Sequence, residues 1–209
     1  MRRKGIIIVV SGFSGAGKGT IMKELTRKYD QYALSISATT RNPRDGEVNG
    51  KDYFFITRQE FEKLIAEDGL IEHATYVNNY YGTPRKYVED KLSQGIDVIL
   101  EIEIQGALQI KKRYPDSVLL FVMPPSAEIL AKRLRGRGTE TEEVIKKRLS
   151  RACEEAVGIE NYDYIVINDK LEECVECVHE IICAAHFDPN RNLDFINNMR
   201  EQLTKFKEL

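Results

Sequence analysis

The stretch Gly12-Phe13-Ser14-Gly15-Ala16-Gly17-Lys18-Gly19-Thr20 constrains this chain more than any other. It joins an apolar run, Ile6 to Ser11, to a helical pattern, Lys18 to Tyr29. Glycines at these places let the backbone curl until successive N–H groups point inward at an anion. The helix that follows adds positive potential at its N-terminus, and Lys18 supplies a full charge. Gly12, Phe13, Ser14, Gly15, Ala16, Gly17, Lys18, Gly19 and Thr20 therefore read as a phosphate cradle between a strand and a helix, with Lys18 at the β- and γ-phosphates of a nucleotide. In the strict pattern a hydroxyl follows the lysine directly; here Gly19 intervenes, so Thr20 is expected to reach a magnesium ion mainly through water.

The rest of the chain repeats the strand and helix rhythm. Val98 to Ile102, Val118 to Met123 and Tyr164 to Ile167 are near-continuous runs of Val, Ile and Leu without alternation, the pattern of parallel strands covered on both faces. Helical patterns span Pro84 to Gln94, with Gly95 as C-cap, and Ser126 to Leu134, with Ser126 as N-cap. The expected class is an α/β three-layer sandwich around a parallel sheet. The strand Val98-Ile99-Leu100 ends in Glu101, with Glu103 two residues on. Glu101 is either a carboxylate that orients magnesium or its waters, or a plain acid at the edge of a sheet.

Two stretches break the rhythm. From Ser35 to Gly82 the chain is rich in Thr, Asn, Gly and Tyr, with one short strand (Tyr53 to Ile56) and one amphipathic helix (Thr57 to Glu67), and reads as a polar insertion. From Leu134 to Gly158 the basic turn Arg135-Gly136-Arg137-Gly138 leads into Thr139-Glu140-Thr141-Glu142-Glu143, a capped helix start, and reads as a hinged flap. The tail after His186 predicts a short helix with Leu193, Ile196, Met199, Leu203 and Phe206 as its apolar stripe.

Charge and cysteine usage exclude several partners. A net charge of −2 gives no basic field for a polyanion, so nucleic acid is not expected. The run after Met1-Arg2-Arg3-Lys4 is too short for a signal peptide and enters the glycine loop instead of a cleavage site; no run approaches the ~20 apolar residues of a membrane span. A cytoplasmic protein is expected. Cys174, Cys177, His179 and Cys183 lie close together. However, Leu171, Cys174, Val175, Val178, Ile181, Ile182 and Ala185 recur at helical spacing, which favours one face of an amphipathic helix over a metal site.

The run Ser37-Ala38-Thr39-Thr40-Arg41-Asn42-Pro43-Arg44-Asp45-Gly46-Glu47-Val48-Asn49-Gly50-Lys51-Asp52-Tyr53 closely resembles the GMP-binding segment of guanylate kinases. Ile71-Glu72, Asn79-Tyr80-Tyr81-Gly82-Thr83, Glu101-Ile102-Glu103-Ile104-Gln105-Gly106 and Arg133-Leu134-Arg135-Gly136-Arg137-Gly138-Thr139-Glu140-Thr141 resemble other segments of that family, in its order. The resemblance runs from about residue 5 to 186 as one domain. It implies a P-loop NTPase core (1–34, 84–132 and 158–209), a mixed α+β GMP-binding region (35–83) and a helical lid (133–157).

It further implies that Arg41, Arg44, Tyr53 and Tyr81 hold the GMP phosphate, since guanidinium forks match phosphate oxygens and phenols donate without adding charge. Ser37, Glu72, Thr83 and Glu103 would read guanine, with Glu72 accepting from N1–H and the exocyclic amine where adenine has no matching donor pair. Arg133, Arg137 and Arg148 would close over the transferring phosphoryl as catalytic residues beside Lys18. Arg137 and Asn168 join the ATP set, Asn168 near adenine. The activity implied is magnesium-dependent transfer from ATP to GMP or dGMP, giving ADP and GDP, in purine nucleotide metabolism and GMP recycling. The alternatives are a non-catalytic guanylate-kinase-like interaction module and a P-loop kinase for another small acceptor. Oligomeric state is left open.

Overall fold

The computed structural model describes residues 4–136 and 141–208. In chain order they form β1 (Ile7–Gly12), α1 (Lys18–Lys28), β2 (Tyr32–Leu34), β3 (Ala38–Thr39), β4 (Phe54–Phe55), α2 (Arg58–Ala66), β5 (Leu70–Tyr76) and β6 (Asn79–Pro84). There follow α3 (Arg85–Ser93), β7 (Asp97–Glu101), α4 (Ile104–Arg113), β8 (Val118–Met123), α5 (Ala127–Arg135) and α6 (Glu142–Ala156). The last elements are β9 (Tyr164–Ile167), α7 (Leu171–Ala185) and α8 (Leu193–Thr204).

β1 lies in the middle of a five-stranded parallel sheet of order β2-β7-β1-β8-β9. Its continuous apolar sequence has a simple cause, because successive side chains of a strand point to opposite faces and both faces are covered. Ile8 and Val10 pack with Ile21, Met22 and Leu25 of α1 and Val175, Val178 and Ile182 of α7. Ile7 and Val9 pack with Val88 of α3 and Ala107 and Ile110 of α4. The result is the three-layer α/β sandwich. Cys174 sits in the first of these cores, on the buried face of α7, where burial pushes its thiol up to about 11.

A second, mixed sheet of order β4-β3-β6-β5 is built from the polar insertion and covered by α2. Thr57 caps α2 in a reciprocal capping box with Glu60. Ser126 caps α5, accepting from Ile129 N at 3.3 Å. Gly95 follows α3 in the left-handed region at φ 81, where its N–H returns to Leu92 O at 3.0 Å. β4 covers only Phe54–Phe55 of the four-residue strand expected there.

Among the described residues five elements lie outside the sequence expectations: β2, the two-residue β3, β5, β6 and α4. β2 is a three-residue edge strand, too short to show a period. The β5–β6 hairpin closes through Val77 and Asn78, at φ 45 and 62. That turn geometry favours Asn-Gly, and a β-branched residue in the left-handed region conceals it in sequence. α4 carries Gly106 in its first turn, which weakens the helical signal.

The tail does form a helix, but Leu193, Met199, Leu203 and Phe206 are exposed, so its apolar stripe faces solvent. The chain leading to α8 is anchored by His186, whose Nε2 lies 3.0 Å from each carboxylate oxygen of buried Asp97. Among the described residues no helix is long and apolar enough to cross a membrane.

Candidate active site

Parallel pairing of β1 with β7 sets Val10 opposite Glu101, so the glycine loop leaving β1 meets the acids leaving β7 at the carboxyl end of the sheet. This crevice is where open α/β sheets bind ligands. Ser11 Oγ donates to Ile102 O at 2.7 Å and joins the two segments.

The loop takes its curl from Gly12, Gly15 and Gly17, at φ 147, 92 and 95. Gly17 has a second constraint: a Cβ there would collide with Asn168 Nδ2. Asn168 is buried and donates from Nδ2 to Ala16 O at 2.8 Å, while Arg133 Nη2 donates to Asn168 O at 2.8 Å. Asn168 and Arg133 thus brace the loop from behind. Phe13 is buried edge-on against Phe121, with ring centroids 5.1 Å apart, and Ala16 is fully buried. Lys18, the first residue of α1, folds its ammonium over the loop and donates to Gly12 O at 2.8 Å and Phe13 O at 3.2 Å. Arg148 reaches the loop from α6, its Nη1 donating to Ser14 Oγ at 3.3 Å.

Across the cleft, the second sheet presents a cation and phenol cluster. Arg41 and Glu47 make a two-armed pair, with Nη1 to Oε2 and Nη2 to Oε1 both 2.9 Å. Glu47 Oε2 also accepts from Arg44 N at 2.7 Å. The Glu47 hydrogen bond raises the Arg41 guanidinium, and the same bond lowers the Glu47 carboxyl. A carboxylate here occupies the fork that fits a phosphate. The Arg41 guanidinium stands over the Tyr53 ring at 5.4 Å, and Tyr53 meets Tyr81 edge-on at 6.2 Å. Burial raises the Tyr53 phenol, which keeps its proton for donation.

Three carboxylates line the floor. Glu72 comes from β5, paired with Thr83 of β6, whose Oγ1 donates to Glu72 Oε1 at 2.6 Å. Glu72 is only 5% exposed, and burial lifts it to about 7, with the Thr83 bonds opposing and the Glu103 charge adding to the rise. Its Oε2 packs against Gly106 of α4, where an added Cβ would stand 2.7 Å away. Glu103, at the start of α4, is half-buried and raised by burial, with Arg151 opposing. Glu101 opens to the cleft, yet surrounding protein limits its hydration and raises it, against the pull of Lys18.

One cleft therefore collects Gly12, Ser14, Lys18, Ser37, Arg41, Arg44, Tyr53, Glu72, Tyr81, Glu101, Glu103 and Arg148. Thr83 lies behind Glu72, fully buried. Gly15, Gly17, Gly19, Thr20, Arg133 and Asn168 shape or flank the loop rather than face this cleft. Arg137 lies outside the described residues. Glu47, Gly106, Arg151 and Glu155 line the cleft without having been assigned a part from the sequence. Arg151 carried a legible signal, since it lies one turn beyond Arg148 on the same helix.

The cleft thus sets a lysine-bearing glycine loop and an arginine and phenol cluster on one space, with three carboxylates lining it. A sequence model of the family described as guanylate kinase matches residues 4–185. The guanylate kinase of Streptococcus thermophilus (strain CNRZ 1066) is 50% identical over 200 residues, covering 95% of this chain and 96% of its own. That of Caldanaerobacter subterraneus subsp. tengcongensis is 48% identical over 202 residues, covering 97% and 98%. The crystal structure of guanylate kinase from Anaplasma phagocytophilum superposes with a TM-score of 0.74 at 33% identity, covering 91% of each chain. With a family match to residues 4–185 and a lysine-bearing glycine loop, an arginine and phenol cluster and buried carboxylates gathered in one cleft, this chain belongs to the guanylate kinase family.

Proposed function

We infer that this chain transfers the γ-phosphoryl of ATP to GMP, giving ADP and GDP, and that it accepts dGMP as well. One observation carries the reading of the site. The lysine-bearing loop and the Arg41, Tyr53 and Tyr81 cluster open on the same cleft as the buried carboxylate Glu72. Lys18 and Arg148 are the catalytic set together with Arg137 and with Arg133, which must leave its brace on Asn168 O to act as the cleft closes, and Arg41, Arg44, Tyr53 and Tyr81 hold the acceptor phosphate. Ser37, Glu72, Thr83 and Glu103 read guanine. The acceptor oxygen is already anionic, so the transfer needs positioning and charge neutralisation rather than a general base. In this reading residues 35–83 form the GMP-binding region, 133–157 the lid, and the remainder the core. Closure over the cleft keeps water from taking the phosphoryl. A cytoplasmic place in purine nucleotide metabolism goes with these substrates.

Magnesium bound with ATP fits the oxygen donors available. Glu101 stands at the end of β7 beside Gly19, its Oε2 3.8 Å from where a Cβ on that residue would be, and Thr20 is exposed next to it. Glu101 and Thr20 would hold the ion mainly through its waters, since magnesium keeps part of its hydration shell. The ion supplies neutralising charge at the phosphates.

An ADP-release assay across GMP, dGMP, AMP, CMP and UMP tests the reading. GMP and dGMP are expected to turn over far faster than the rest, and an equal or higher kcat/KM for AMP would reject it. A second test uses Gly106→Ala. The new Cβ meets Glu72 Oε2 at 2.7 Å and Ile102 Cδ1 at 3.2 Å, so the carboxylate must shift. A shift of this kind is expected to raise the KM for GMP by about tenfold or more, because misplacement by a fraction of an ångström already disturbs a positioned group. The KM for ATP is expected to stay within about twofold, which steady-state kinetics with each substrate varied in turn will show.

A further inference from the structure

The face of α6 that looks into the cleft carries Arg148, Arg151 and Glu155 at spacings of three and four residues. Residues so spaced lie one above another on a helix. Arg148 Nη1 donates to Ser14 Oγ of the phosphate loop at 3.3 Å. One turn on, Arg151 Nη2 donates to Glu103 Oε2 at 3.2 Å, and its Nε donates to Glu155 Oε1 at 3.0 Å. One helix therefore touches the glycine loop with one arginine and Glu103 with the next. Glu155 holds one edge of the Arg151 guanidinium and so aims the other edge at Glu103.

The pair is too wet to serve mainly as a staple. The Arg151 and Glu103 side chains are 33% and 39% exposed, and ion pairs of that kind add little to stability. Its geometric consequence is larger. Glu103 begins α4 with no hydrogen bond from its side chain to the helix it caps, so Arg151 is a direct constraint on where that carboxylate points.

We propose that Arg151 is a positioning residue that aims Glu103 at the guanine ring and couples occupation of the base site to the phosphate loop through the turn that joins Arg151 to Arg148. The proposal rests on the reading of Glu103 as a guanine acceptor. Coupling of this kind is reciprocal, so ATP-site occupation strengthens GMP binding by the factor that GMP strengthens ATP binding.

The test uses the full chain with Arg151→Ala and Arg151→Lys. Steady-state kinetics give the KM for each substrate, and calorimetry gives the GMP Kd with and without a non-hydrolysable ATP analogue. In Arg151→Ala the KM for GMP is expected to rise about tenfold, a loss of about 1.4 kcal/mol, with the KM for ATP within about twofold. The strengthening of GMP binding by the ATP analogue is expected to fall at least about threefold, with Tm within about 2 °C of the parent. Arg151→Lys keeps the charge without the two-edged fork and is expected to recover only part of the GMP affinity. A GMP KM within twofold of the parent, equal rises in both KM values, or an unchanged effect of the analogue overturns the proposal. Failure of the parent itself to phosphorylate GMP overturns the function reading instead, so the two failures are distinguishable.

Discussion

Lys18→Met is expected to lower kcat by roughly 10²–10³-fold, the loss seen when one preorganised donor is removed from developing negative charge. Methionine keeps the unbranched stem and removes the ammonium. In the structure that ammonium is held at the loop by Gly12 O and Phe13 O, at 2.8 and 3.2 Å. Both carbonyls belong to a loop that opens on the cleft, so water can replace the lost donor and the fold is expected to survive. The helix is not at risk either, since methionine and lysine have similar helix propensity. The ammonium acts on charge that grows during transfer, so kcat and kcat/KM are expected to fall together while the KM values move little. Kinetics at saturating ATP and GMP, with a melting curve as control, make the check. A fall of less than tenfold would remove Lys18 from the charge-neutralising role.

The central sheet was legible because its strands are buried on both faces and so read as unbroken Val and Ile runs. Boundaries were close: Ile6 to Ser11 against β1 at Ile7–Gly12, and Val98 to Ile102 against β7 at Asp97–Glu101. The strands that no local pattern marks share one property, that tertiary contacts decide them. β2 is a strand because β7 pairs with it from Tyr32 to Leu34. The β5–β6 hairpin forms although its turn holds Val77, a residue that resists positive φ.

At the candidate site, the place of the glycine loop between β1 and α1 could be read from chemistry alone, since glycines, a helix start and a lysine at that spacing have few other uses. The carboxylate end of the cleft could not. Glu72 follows Leu70 and Ile71 where the β5–β6 register shifts, and no sequence pattern marks it; its environment depends on burial against Gly106, 34 residues on by numbering, and on Thr83 across the hairpin. The resemblance to a family pointed to Glu72, and the structure supplies its environment. Asn168 was expected near adenine on the same resemblance; in the structure its side chain donates to Ala16 O and braces the loop. Glu47, an acid beside two arginines, passes for solvated charge in sequence, and for Arg151 only the one-turn spacing from Arg148 stands against the same reading.

Glu72→Gln is expected to reduce the preference for GMP over AMP in kcat/KM by roughly 10²-fold or more, because a buried acceptor built for two N–H donors is replaced by one acceptor and one donor. The same substitution separates function from stability through its pH dependence. In the folded chain Glu72 is raised from 4.5 to about 7, chiefly by burial. Between those values the folded state holds a proton that the unfolded chain has released, so stability declines as pH rises through the window and levels off above about 7. The loss amounts to about 3 kcal/mol at most. Glutamine stays neutral and can still accept from Thr83, so the variant is expected to melt higher than the parent at pH 8, with the difference shrinking toward pH 4.5. GMP recognition runs the other way. Two guanine donors require the ionised carboxylate, so the parent's kcat/KM for GMP is expected to fall as pH drops below about 7, approaching tenfold per unit, and this limb is expected to vanish in Glu72→Gln. The measurement is kcat/KM for GMP and AMP from pH 5.5 to 8.5 in both proteins, with melting curves at each pH. Unchanged base discrimination together with a parent profile that lacks the acid limb would show that Glu72 is a buried structural acid and does not read the base.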